Sequence, residues 1–132
     1  MSFFENTKDN LKKGLDGESK IREYFKNIGI NFMQADLIFF YNNKWCLAEI
    51  KTQEKYLSPP FDGHGLPQWQ IDFRMKFYND TNVEPYLIVN CLSDKCIYIQ
   101  SFINLLNGEF YKTNGIKPRT IFPINSFKKI VY

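Results

Sequence analysis

The sequence predicts an α/β domain built on a central mixed β-sheet flanked by helices. Three observations predict it. Leu11, Leu15, Ile21, Phe25 and Ile28 recur at helical spacing near the N-terminus. Two apolar, aromatic runs then follow on either side of Asn42-Asn43, the pattern of a β-hairpin. After a proline- and glycine-rich stretch, a second helical pattern leads into two more strand-like runs.

The first helix is predicted over Asp9 to Ile28, capped by Asp9 or Asn10 and ended by Gly29. Gly14 and Gly17 lie inside it, each at a cost of about 1 kcal/mol relative to Ala, which suggests either close approach to a neighbour or a kink. Ile30 to Met33 is a candidate short strand. Gln34–Tyr41 and Lys44–Thr52 are the strands of the hairpin, since Asn tolerates positive φ in a two-residue turn. Glu54 to Gly65 mixes Pro59 and Pro60 with Gly63 and Gly65 and reads as a loop leaving the second strand. Pro67 suits the first position of a helix running to about Asn79, with Trp69, Phe73 and Phe77 on one stripe and Ile71, Met75 and Tyr78 on another. Glu84–Cys91 has the apolar middle of a central strand, and Cys96–Gln100 is the next. Ser101 caps a short helix closed by Asn107-Gly108, and Pro118 and Pro123 argue against a regular helix in the tail.

A chain of 132 residues suits one domain, with a core over about 9–100 and a C-terminal extension over 101–132. The net charge of +3 permits nucleic-acid binding without demanding it. Cys46, Cys91 and Cys96 form no CxxC pair, and His64 is the sole histidine, so ordinary zinc spacing is excluded. The cysteines read as reduced and buried, which predicts a cytoplasmic protein. The N-terminus has no signal-peptide apolar region, and the longest purely apolar run, Leu37–Tyr41, is too short to span a bilayer.

Chemistry concentrates in the hairpin. If Tyr41 pairs with Lys44, then Phe40 meets Trp45, Ile38 meets Leu47, and Asp36 falls opposite Glu49, with roughly 4.5–5.5 Å between Cβ atoms. Lys51, two residues on, shares that face. Opposed carboxylates repel, so the arrangement calls for positive charge between them. Lys51 supplies one charge, and a divalent cation with a taste for hard oxygen, Mg²⁺ or Mn²⁺, would supply the rest. Glu18, on the apolar stripe of the first helix, is a candidate third acid. The bland alternatives are a solvated surface hairpin and a Glu18 at the border of its stripe.

Glu18, Asp36, Glu49-Ile50-Lys51 and Gln70 together resemble the PD-(D/E)XK nuclease superfamily, which includes restriction endonucleases, Holliday-junction resolvases and phage nucleases. The predicted element order resembles that family's restriction-endonuclease-like αβββαβ core. The stretch Gly63-His64-Gly65-Leu66-Pro67-Gln68-Trp69-Gln70 looks like a segment of small phage or prophage members. Ala35 stands where the motif's name has proline, and Gln70 lacks the tyrosine of the RecB-type motif. The resemblance implies a metal-dependent DNA endonuclease. Asp36, Glu49 and the Ile50 carbonyl would bind Mg²⁺ or Mn²⁺. Glu18 would bind a second metal or a metal-bound water. Lys51 would activate water or stabilise the transition state, and Gln70 would orient the site. Lys55, His64, Arg74 and Arg119 are candidate DNA contacts, with surface charge as the plainer reading of each. His64, between two glycines, is expected outside the core. Many such enzymes are dimers, so a homodimer is a possible assembly. The competing reading is a catalytically inactive module with a nuclease fold that binds nucleic acid or a protein partner through its aromatic surface.

Overall fold

A computed structural model describes residues 17–30, 35–58 and 60–131 of the chain. They divide between two units, residues 1–34 and 35–132, each described by itself. In the first, helix α1 covers residues 17–27. It ends as predicted at Gly29, which takes φ 79°. The Gly29 N–H bonds to the Lys26 carbonyl and the Ile30 N–H to the Phe25 carbonyl, the paired bonds of a Schellman cap. A Cβ on Gly17 would meet nothing within 4 Å, so close approach does not explain that glycine. Gly14, the predicted helix start, residues 31–33 of the candidate first strand and Gln34 at the start of the next lie outside the described residues.

The second unit runs β1 (Leu37–Tyr41), β2 (Lys44–Gln53), β3 (Tyr56–Ser58), β4 (Phe61–Pro67), α2 (Gln68–Thr81), β5 (Glu84–Cys91), β6 (Cys96–Ser101), α3 (Phe102–Asn107), β7 (Tyr111–Lys112), β8 (Arg119–Pro123), a 3-10 turn (Ile124–Ser126) and β9 (Lys128–Ile130). It is an α/β unit. Its main sheet has the order β1-β2-β5-β6-β9 and is mixed: β2 and β5 are parallel, and the other neighbours antiparallel. The hairpin has the predicted register, Tyr41 with Lys44 through Ile38 with Leu47. Asn42 and Asn43 take φ of 52° and 60°, the two positive values a type I′ turn requires. β5 is the central strand, and its alternate residues Pro85, Leu87, Val89 and Cys91 are buried on one face. Ser101 caps α3 by accepting the Asn104 N–H.

Glu54–Gly65, expected to be a loop, is largely sheet. β3 and β4 belong to a second sheet, of order β3-β4-β8-β7, that the sequence did not announce. Its glycines are the cause of both the misreading and the structure. A Cβ on Gly63 would lie 2.2 Å from the Phe122 carbonyl oxygen, and one on Gly65 would lie 2.0 Å from that of Thr120. Only glycine lets β4 and β8 close to this separation. The main core lies where Leu87, Val89, Cys91, Cys96 and Tyr98 of the first sheet meet Leu66 and Phe122 of the second, closed by Ile71, Phe102, Leu105 and Phe127. Cys46, Cys91 and Cys96 are all free thiols and buried. Among the described residues no helix is long and apolar enough to cross a membrane.

On α2 the expected burial of both stripes is corrected. Trp69 and Phe73 are exposed, at 65% and 43%, whereas Ile71 and Arg74 are buried. The helix turns one side inward, and that side carries a charge.

Candidate functional site

β2 alternates, so Leu47, Glu49, Lys51 and Gln53 share one face. The parallel register sets Glu49 beside Leu87 and Lys51 beside Val89 of the central strand, which draws Glu49 into the interior. Glu49 is only 8% exposed. Its Oε1 lies 3.4 Å from Lys51 Nζ. Its Oε2 accepts a bond of 2.5 Å from Nη2 of Arg74, which projects from α2 and is itself buried. One acid thus has two cations on it, one half-buried and one enclosed.

This revises the charge balance reasoned from sequence. The positive charge assigned to a dication beside Glu49 is supplied in the structure by Arg74. A buried carboxylate needs such a partner, because each ion loses several kcal/mol of hydration on burial. Arg74 was placed among the DNA contacts. Enclosed and bonded to Glu49, it is an internal counter-ion instead. The signal was readable: Arg74 is three residues past Ile71 and four before Tyr78, a charge within an apolar stripe.

The paired register ends at Leu37 with Ala48, and Asp36 lies just beyond it. Its main-chain N–H bonds to the Ala48 carbonyl, and its Oδ2 accepts the Ile50 N–H at 2.9 Å. The side chain takes the place of the next backbone acceptor and ends the ladder there. Asp36 is exposed, and its carboxylate retains accepting capacity beyond that single bond. Gln70 lies one helical turn before Arg74 on α2. Its Oε1 is buried and has no hydrogen-bond partner among the described residues. Glu18, in the other unit, is 66% exposed at its side chain and stands 3.9 Å from Arg22, one turn along α1.

The candidate DNA contacts scatter. Lys55 is tied to Asp94 at 2.8 Å. Asp94 also accepts the Tyr98 hydroxyl at 2.6 Å, and the two bonds, that from Lys55 foremost, hold its carboxyl below the usual range. Arg119 opens β8, with its main chain bonded in both directions to Thr113. His64 overturns its expectation: it is fully buried in the core, against the rings of Tyr98 and Phe127. The flanking glycines serve the β4–β8 approach rather than a loop. Gln53 Oε1 takes the Nδ1–H of His64 at 2.8 Å and the Gly65 N–H, a polar hub that sequence reasoning missed. It stands two residues past Lys51 on the same face, which was the available clue.

Burial pushes the His64 pKa down to about 4. The folded protein therefore holds a neutral imidazole where an unfolded chain, with pKa near 6.5, takes up a proton. The unfolded state binds more protons between those two values, so stability is full above about pH 6.5 and falls as pH drops toward about 4. The expected loss is about 3 kcal/mol. Urea denaturation from pH 7.5 to 4 should show this slope in the wild type and a flatter one in His64→Gln. Equal slopes would refute the assignment.

Mg²⁺ commonly takes one or two carboxylates and keeps several waters, and Asp36 and Glu49 are the acids that would supply them here. Among the described residues, no group of three or more His, Cys, Asp or Glu side chains is assembled as a ready-made metal cage. A dication at Glu49 would have to share that carboxylate with Arg74 and Lys51. No family model, curated protein or solved structure gives a significant match to this chain, so the functional argument rests on geometry and chemistry.

Proposed function

We propose that this chain is a metal-dependent DNA endonuclease with a PD-(D/E)XK-type site on a restriction-endonuclease-like core, acting on phosphodiesters in branched or otherwise structured DNA. The observation that carries the reading is the hairpin register. It pairs β1 as far as Leu37 with Ala48, leaves the Asp36 carboxylate on the Ile50 N–H next to Glu49 in the chain, and strand alternation puts Lys51 on the face of Glu49, 3.4 Å from its carboxylate. The order hairpin, helix, then a central strand parallel to β2 supports the same reading. Bound Mg²⁺ or Mn²⁺ would lower the pKa of a coordinated water and neutralise phosphate charge. Asp36, Glu49 and the Ile50 carbonyl would hold it. Lys51 stands where negative charge grows on the phosphate and stabilises it. Gln70 offers a buried amide to orient water or phosphate. Lys55 and Arg119 are proposed as contacts to the DNA backbone.

The Arg74–Glu49 pair favours a second reading. An acid already neutralised from within suits a nuclease-fold module that binds DNA or a protein without cutting. One assay separates the two. Purified protein is incubated with duplex, single-stranded, flapped and four-way-junction DNA, with Mg²⁺ or Mn²⁺ and with EDTA. Cleavage of at least one substrate, abolished by EDTA, is the expected result. Binding without cleavage under every metal condition would favour the module.

A further inference from the structure

We propose that Arg74 is a resident counter-ion that competes with the dication for Glu49, so that metal enters the site by displacing a guanidinium from a carboxylate. The inference deepens the metal-site reading above and rests on it. Glu49 Oε2 is held by Arg74 at 2.5 Å, and Oε1 is 3.4 Å from Lys51, so both oxygens face cations. Both members of the Arg74 pair are 8% exposed, so water screens their attraction little. A cation arriving at Glu49 must share or replace that bond. Among the described residues Asp36 has no such rival: it is exposed, and its bond is to a backbone N–H. The site is therefore asymmetric, with one open ligand and one latched.

The latch gives Arg74 a positioning role. It fixes the direction of the Glu49 carboxylate while no metal is bound, at the expense of affinity once metal arrives. Lys51, partly exposed and farther from the carboxylate, is the weaker rival. The proposal predicts that removing the guanidinium tightens metal binding.

The test is binding of Mn²⁺ alone to DNA-free protein, read by calorimetry or by loss of the free-ion EPR signal, with melting temperature as the second readout. Arg74→Met should bind Mn²⁺ at least tenfold more tightly than wild type. It should also gain more melting temperature from added Mn²⁺. Arg74→Met combined with Glu49→Gln should lose the gain. If Arg74→Met is unfolded without metal, recovery of its folded circular dichroism on adding Mn²⁺ supports the proposal. If it stays unfolded, Arg74→Lys decides, since a point charge on a shorter stem holds Glu49 less firmly. Tighter Mn²⁺ binding than wild type supports the latch, and unchanged binding overturns it. Equal affinity in wild type and a folded Arg74→Met refutes competition and leaves the metal site standing. No Mn²⁺ binding to either at millimolar concentration, with or without DNA, refutes the metal site itself and the latch with it.

Discussion

Lys51→Ala should abolish metal-dependent DNA cleavage while leaving the fold intact. The expected fall in kcat is about 10²–10⁴-fold, the range for a positioned charge or proton-transfer group, with KM little altered. The geometry supports separating activity from stability here. Lys51 is 29% exposed at its side chain and forms a loose ion pair with Glu49 at 3.4 Å, so its loss should cost less than about 1 kcal/mol. Single-turnover cleavage and a melting curve on the same preparation measure both. Lys51→Arg sharpens the result. Arginine keeps the charge but cannot act as a base in a protein. Substantial activity in Lys51→Arg would assign Lys51 an electrostatic role, and loss as deep as in Lys51→Ala would point to proton transfer. Full activity in Lys51→Ala would remove Lys51 from the mechanism.

The hairpin was legible because period-two alternation, a two-asparagine turn and matched aromatic pairs all specify one register. A slip by one residue would turn Glu49 and Lys51 to the opposite face. The end of α1 was legible because Gly29 does there what other residues do at a cost. The second sheet was hidden by the same residue type. Gly63 and Gly65 carry no side-chain pattern to read, and their purpose lies in β8, more than fifty residues away, whose Thr120 and Phe122 carbonyls they approach. His64 followed them into the wrong class. Arg74 gave a cue by standing within an apolar stripe, but a charge on a helix is ordinarily solvated, and only the depth of Glu49, set by pairing with the central strand, makes that arginine an interior residue. Local signals were recovered, and those depending on a distant partner were not.

Arg74→Met should be among the most destabilising substitutions in the second unit. Removing the enclosed partner leaves the buried Glu49 with only the partly exposed Lys51 beside it, and breaking a buried ion pair costs about 3–5 kcal/mol. For a chain of this size that corresponds to roughly 10–20 °C in melting temperature. Glu49→Leu removes the carboxylate that Arg74 bonds to and should cost a similar amount. Replacing both should not add the two penalties. An apolar pair of similar volume removes the desolvation cost along with the attraction, so Glu49→Leu with Arg74→Met should return to within about 1–2 kcal/mol of wild type. Denaturant titrations of the four proteins give the coupling energy directly. A loss below about 1 kcal/mol in Arg74→Met, or penalties that simply add in the double variant, would mean that the two side chains are solvated and independent. The cycle also bears on function. An apolar pair here would leave the fold its stability at less electrostatic risk, so stability alone gives no reason for a carboxylate at position 49. If the double variant is as stable as wild type yet neither binds Mn²⁺ nor cuts DNA, the charges at Glu49 and Arg74 serve the chemistry of the site rather than the fold.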